Sequence, residues 1–144
     1  MKATVKQIQG NTFAAKADSG HWVTIDTSKS EDGSEGASSP VEMVLMALGA
    51  CSAMDVVLML KKMRAKVSGF HVNLDAERAE TYPRVFTKVK MEYVLKGEDI
   101  KPKDVERAIQ LSIDKYCTVA GMVGKTAEID TTYRIEADDE STSK

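Results

Sequence analysis

The chain has 144 residues, with 20 Lys and Arg against 22 Asp and Glu and a formal net charge of −2. That length fits one domain able to bury about two thirds of its unfolded surface, and basic residues scattered rather than striped exclude the electrostatic footprint of a nucleic-acid binder. The two cysteines, Cys51 and Cys117, lie 66 positions apart, which is neither a secreted disulfide framework nor the CxxC spacing of a thioredoxin-type or zinc motif.

The opening residues MKATVKQIQG contain no apolar core of a signal peptide, so the expected compartment is the cytosol. Residues 3–26 read as a three-stranded meander, with strands at 3–9, 12–17 and 21–26. Gly10-Asn11 supplies the first turn and Asp18-Ser19-Gly20 the second, both with residues that accept turn geometry. In the third strand Val23 and Ile25 share one face and Trp22 takes the other, while His21, beside the turn, reads as a solvated strand residue. Residues 27–39, TSKSEDGSEGASS, are polar and rich in Ser and Gly. They are expected to form a mobile loop able to act as a lid near the entry of the following helix. A domain linker is the competing reading, but the residues before it are too few to fold alone.

Residues 39–64, SPVEMVLMALGACSAMDVVLMLKKMR, predict one long helix with Cys51 near its middle. Ser39 is a fit N-cap, Pro40 sits at the first helical position, and Glu42 completes a capping box. Lys61, Lys62 and Arg64 gather where the helix dipole favours positive charge. The run from Met43 to Met54 is apolar all round, which predicts burial on most sides and a helix through the centre of the molecule or of a dimer. It is too short for a membrane span, and Asp55 interrupts it. Five methionines, Met43, Met46, Met54, Met59 and Met63, lie on this stretch, where flexible thioethers fill gaps rather than bind metal. Small residues (Ala47, Gly49, Ala50, Ser52 and Ala53) surround Cys51 and allow close approach to its sulfur. For this thiol simple packing is the ordinary alternative.

Beyond the helix, Phe70, Val72, Leu74 and Ala76 alternate with polar residues, His71 among them. Val85, Thr87, Val89, Met91, Tyr93 and Leu95 do the same. The two runs predict a long antiparallel hairpin with one wet face, ended by Gly97. Pro102 opens a second helix whose Val105, Ala108, Ile109, Ser112 and Tyr116 fall at helical spacing, with Cys117 at its end. Gly121 and Gly124 then predict a break into a short further helical piece. A last strand covers residues 126–135, and the acidic tail 136–144 is expected to be disordered. The order βββ-α-ββ-α-β defines an α+β fold of antiparallel strands packed on two helices, in a single domain over residues 1–135. Two histidines without a ligand pattern predict no metal and no other cofactor.

Three segments resemble the OsmC/Ohr family, within it most closely the YhfA-like branch. SSPVEMVLMALGACSAMDVV is similar to that family's central helix, in which a cysteine follows a proline by 11 positions. YPRVFTKVKMEYVLKG resembles the hairpin strand that follows, and IQLSIDKYCTVAGMV the cysteine segment of the second helix. The resemblance covers about residues 2–135. It implies an intertwined cytosolic homodimer with a buried central helix and active sites at the subunit interface. It also implies a thiol peroxidase that reduces organic hydroperoxides, and hydrogen peroxide less well, and is recycled by a dithiol reductant. Cys51 would be the peroxidatic cysteine and Cys117 the resolving one; neither nucleic acid nor membrane is a partner.

The chain departs from the family at the activating groups. The better-known branches use an N-terminal arginine and a glutamate directly after the proline. Here no arginine precedes Arg64, and Val41 follows Pro40. Glu42 comes one place later and, nine residues before Cys51 at about 100° each, points away from it, as a capping residue would. Asp55, one turn after Cys51, would raise a thiol pKa rather than lower it. Arg78 and Arg84 are the candidate substitutes, supplied across the dimer, against the plainer reading of solvated strand charges. Thr118 stands where many relatives carry proline. The missing arginine keeps a second reading open, a non-catalytic protein holding a small apolar ligand, with a redox sensor between the two.

Overall fold

A computed structural model describes residues 1–138; residues 139–144, most of the acidic tail expected to be disordered, lie outside the described residues. The chain divides into two compact units, Met1–Met46 and Ala47–Lys144, and each is described by itself.

In the first unit β1 (Ala3–Gln9), β2 (Thr12–Ala17) and β3 (Trp22–Ile25) form an antiparallel sheet in the order β1-β2-β3. Gly10 takes the positive φ of 52° that the turn requires, and the register pairs Val5 with Ala15 and Ala15 with Val23. The segment after β3 is not the featureless loop its composition suggests. It winds around one buried carboxylate, Asp26. Asp26 Oδ1 accepts from Thr12 Oγ1 at 3.0 Å, Thr27 N at 2.8 Å and Ser34 N at 3.0 Å. Its Oδ2 accepts from Gly36 N at 2.9 Å and from the Ser34 hydroxyl. The Ser34 hydroxyl and Gly36 amide bonds, outweighing the opposing effect of burial, hold this carboxyl below its ordinary range. Ser and Gly here serve as donors and close-approach residues, so a composition that reads as mobile builds an ordered turn.

Helix α1 (Pro40–Lys62) begins in this unit. The expected capping box is present: Ser39 N and Oγ donate to Glu42 Oε2 at 2.7 and 2.8 Å, and Glu42 N donates back to Ser39 Oγ at 3.4 Å. The helix stops two residues before the predicted end, and Arg64 turns the chain at a φ of 61°.

In the second unit β4 (Lys66–Arg78), β5 (Phe86–Glu98) and β6 (Glu128–Glu136) form a sheet in the order β4-β5-β6. The predicted hairpin is there, with Leu74 opposite Met91 and Val72 opposite Tyr93. Val89, Met91, Tyr93 and Leu95 are buried, as their alternation predicts. The expectation of wholly antiparallel strands is corrected by β6, which runs parallel to β5 with Tyr93 beside Tyr133. Parallel neighbours need a long crossover connection. Helix α2 (Pro102–Leu111), a π-helical turn at Ser112–Tyr116 and the short α3 (Thr118–Val123) provide it. Tyr133 donates to Glu106 Oε1 at 2.7 Å and ties the crossover to the sheet.

From Ala47 onward α1 buries Leu48, Ser52, Val56 and Leu60, every fourth residue, with Gly49 beside them. A Cβ at Gly49 would stand 2.6 Å from Leu74 Cδ1, so the bare glycine leaves room for the Leu74 side chain against the helix. The single chain alone does not bury the remaining faces: Met54 is 72% exposed and Leu58 53%. By length and composition α1 is long and apolar enough to cross a bilayer, so the argument from shortness does not hold. Its buried stripe nonetheless meets the protein's own Leu74 and Tyr93, and Asp55 on that helix is hydrogen-bonded within the protein.

Candidate active site

Cys51 sits in the middle of α1, half-buried. Cys117 comes from the crossover, where the π-helical turn widens the helix by one residue and ends it. Cys117 N donates to Ser112 O at 2.8 Å. The residue then adopts extended geometry as N-cap of α3, with its Sγ accepting from Ala120 N at 3.3 Å. This turn brings the second sulfur to the first. The donor atoms of Cys51, Asp55 and Cys117 all lie within 4.8 Å of one another, and both cysteines are free thiols.

The two sulfurs are unequal. Cys117 is only 4% exposed. Burial, then its hydrogen bond to Cys51, push its pKa up to about 11 against the opposing Ala120 amide, with the charges of Cys51 and Asp55 adding to the rise. A half-buried thiol thus stands beside a buried thiol held in the protonated form.

Behind the sulfurs runs a line of buried hydroxyls. Tyr93 OH lies 2.6 Å from Ser52 Oγ, Ser52 Oγ 2.9 Å from Ser112 Oγ, and Ser112 donates to Asp55 Oδ2 at 3.2 Å. A carboxylate only accepts, so the single Ser112 proton points at Asp55; Ser52 then donates to Ser112, and Tyr93 to Ser52. Tyr93, Ser52 and Ser112 are fully buried. Desolvation pushes the Tyr93 phenol up to about 12.

Among the sequence-predicted site residues, the structure brings Cys51 and Cys117 together. Glu42 is committed to its capping box, where the Ser39 backbone N–H and then its hydroxyl lower its pKa. Arg78 and Arg84 brace the turn end of the β4–β5 hairpin: Arg78 Nε donates to Arg84 O at 2.9 Å and Arg84 Nε to Ala79 O at 3.2 Å. The hydroxyl line escaped sequence reasoning, although a signal existed. Ser52 interrupts an apolar run, and Ser112 and Tyr93 fall on core-facing positions; buried polar atoms of this kind need partners. Two thiols and a carboxylate are also donors of the type zinc uses, but three are one short of a closed structural shell.

An α+β chain with one cysteine on its long helix and a second delivered by the crossover defines the class, and the comparisons with known proteins agree. The family model for OsmC-like protein matches residues 32–132, and the chain belongs to that family. It is 42% identical over 137 residues to Protein YhfA of Escherichia coli strain K12, covering 95% of this chain and 99% of the relative. A solved hypothetical protein from Aquifex aeolicus VF5 is 28% identical with a TM-score of 0.83, over 96% of this chain and 97% of that one. An organic hydroperoxide resistance protein from Elizabethkingia anophelis shares the fold at 16% identity and a TM-score of 0.70, over 93% and 94% of the two chains.

Proposed function

We propose that the protein is a cytosolic thiol peroxidase acting on organic hydroperoxides. The observation that carries this reading is the meeting of two sulfurs that lie 66 positions apart in the chain. Cys51 attacks the terminal peroxide oxygen, releases the alcohol and becomes a sulfenic acid; Cys117 condenses with it to a disulfide and water. An S–S bond of about 2 Å requires the sulfurs to close by less than about 3 Å, within the reach of side-chain rotation and a small backbone shift. An external dithiol then restores both thiols by exchange. Apolar side chains along α1 suit an alkyl peroxide better than a small polar one.

The active form in this reading is a homodimer in which the exposed Met54, Val57 and Leu58 face of α1 is covered by the second copy. The thiolate of Cys51 then draws on a cation from across the interface, for which Arg78 and Arg84 are the candidates, while Glu42 remains a capping residue. One equivalent of an alkyl hydroperoxide added to the reduced protein is expected to remove two titratable thiols and to yield a Cys51–Cys117 disulfide by peptide mapping. Cys51→Ser is expected to keep its remaining thiol. An unchanged thiol count in the wild type would end the proposal.

A further inference from the structure

We propose that Asp55 is the proton shuttle of disulfide closure: its carboxylate takes the proton of the Cys117 thiol as that sulfur attacks the Cys51 sulfenic acid, and hands it to the departing hydroxide. This rests on the peroxidase reading and concerns its second step alone.

The chemistry of that step creates the need. The S–S bond forms as the S–O bond of Cys51–SOH breaks; Cys117 sulfur is oxidised and Cys51 sulfur reduced from the sulfenic level. One proton must leave Cys117 and one must reach the oxygen, which departs as water. Cys117 is 4% exposed, so no base in bulk water reaches it readily. Burial, the largest cause of its raised pKa, holds this thiol in the protonated form at neutral pH. The hydrogen bond to the Cys51 sulfur changes on oxidation, but the burial does not.

Geometry supplies the base. Asp55 is one helical turn beyond Cys51 on α1, and its carboxylate oxygen lies within 4.8 Å of both sulfurs. It is therefore beside the donor of the proton and beside the atom that carries the leaving oxygen. The hydroxyl line holds it there. Ser112 donates to one oxygen at 3.2 Å, and the remaining lone pairs stay free for the thiol proton. Since Ser112 is in turn fixed by Ser52 and Tyr93, all fully buried, the carboxylate is aimed from within the core. The same charge that disfavours ionisation of Cys117 at rest becomes useful once the thiol proton moves, because transfer leaves Asp55 neutral.

The test separates the two steps by rapid mixing of the reduced protein with one equivalent of an alkyl hydroperoxide. Peroxide consumption reports the first step; a diketone trap for sulfenic acid and quenched non-reducing peptide mapping report the second. Asp55→Asn is expected to close the disulfide at least about a hundredfold more slowly than the wild type, the scale of a lost general acid–base group, so that closure lags its own peroxide consumption and sulfenic acid accumulates. Asp55→Glu is expected to recover closure to within about tenfold of wild type, which a merely structural role would not produce. Ser112→Ala, which removes only the orienting bond, is expected to slow closure by a smaller factor and serves if Asp55→Asn fails to fold. Closure in Asp55→Asn within about threefold of wild type would overturn the proposal while leaving the peroxidase reading in place. Equal closure in Ser112→Ala and wild type would overturn the aiming role. No peroxide consumption by the wild type would overturn both readings.

Discussion

Two buried acids, the Tyr93 phenol and the Cys117 thiol, decide how the site responds to alkali. Both have folded-state pKa values raised above their ordinary ones, to about 12 and about 11. Over that interval the unfolded chain releases a proton that the folded chain retains. Stability associated with these groups is therefore fully present below about pH 9 and falls as pH rises through 9 to 12. Thermal melts are expected to drop across this window, and to drop less in Cys117→Ser. Tyr93→Phe removes the first donor of the hydroxyl line and leaves a Ser52 lone pair unmet in the core. Its expected cost at neutral pH is about 1–2 kcal/mol, read as a Tm lower by about 2–8 °C. These hydroxyls could have been found in the sequence: a serine inside an apolar helix and a tyrosine on an inward strand face announce a buried polar contact. What the sequence withholds is which of them meet, because Ser52, Tyr93 and Ser112 come from three elements and only the folded chain brings them together.

At the level of the elements, α1 depends on two local devices. The Ser39–Glu42 box starts it, and Ser39→Ala is expected to cost about 1 kcal/mol in urea unfolding. Gly49 leaves room for Leu74 of β4, and Gly49→Val, driving side-chain atoms into Leu74, is expected to cost about 1–3 kcal/mol. Both features are local and so were legible: a Ser-Pro-x-Glu run marks a helix start, and small residues mark a close approach. The limits of β1 and β2 were legible for the same reason, since Gly10-Asn11 forces the chain to reverse there. The direction of β6 was not. Its alternation of Ile129, Thr131 and Tyr133 is identical for parallel and antiparallel pairing, and only the crossover decides. The π-helical turn was likewise invisible, because a one-residue widening leaves the helical spacing of Val105, Ala108 and Ile109 untouched. The Asp26 turn misled because its Ser and Gly content is also that of a flexible loop.

For the whole molecule the open question is what covers α1. Met54, Val57 and Leu58 form an apolar surface on a helix whose opposite stripe is already packed, an arrangement typical of an interface. If a second copy covers it, Leu58→Glu is expected to turn a dimer into a monomer in light scattering. Peroxide turnover would fall with it, because any cation from across the interface is lost. A wild-type protein that is monomeric at micromolar concentration would exclude this assembly and the shared site with it.

The parallel β5–β6 pair also sets the order in which the newly made chain closes. The β4–β5 hairpin joins neighbours in the chain, whereas β6 can dock only after the whole span from Pro102 to Val123 has threaded across, and distant pairings of this kind form late. Cys117 lies within that span. A nascent chain therefore carries Cys51 as a solitary thiol well before its counterpart arrives, and an oxidant met in that interval finds no internal route to repair. If Cys117 resolves Cys51 as proposed, over-oxidation of Cys51 is expected to be greatest while the chain is being made, and least once its last strand has closed the sheet.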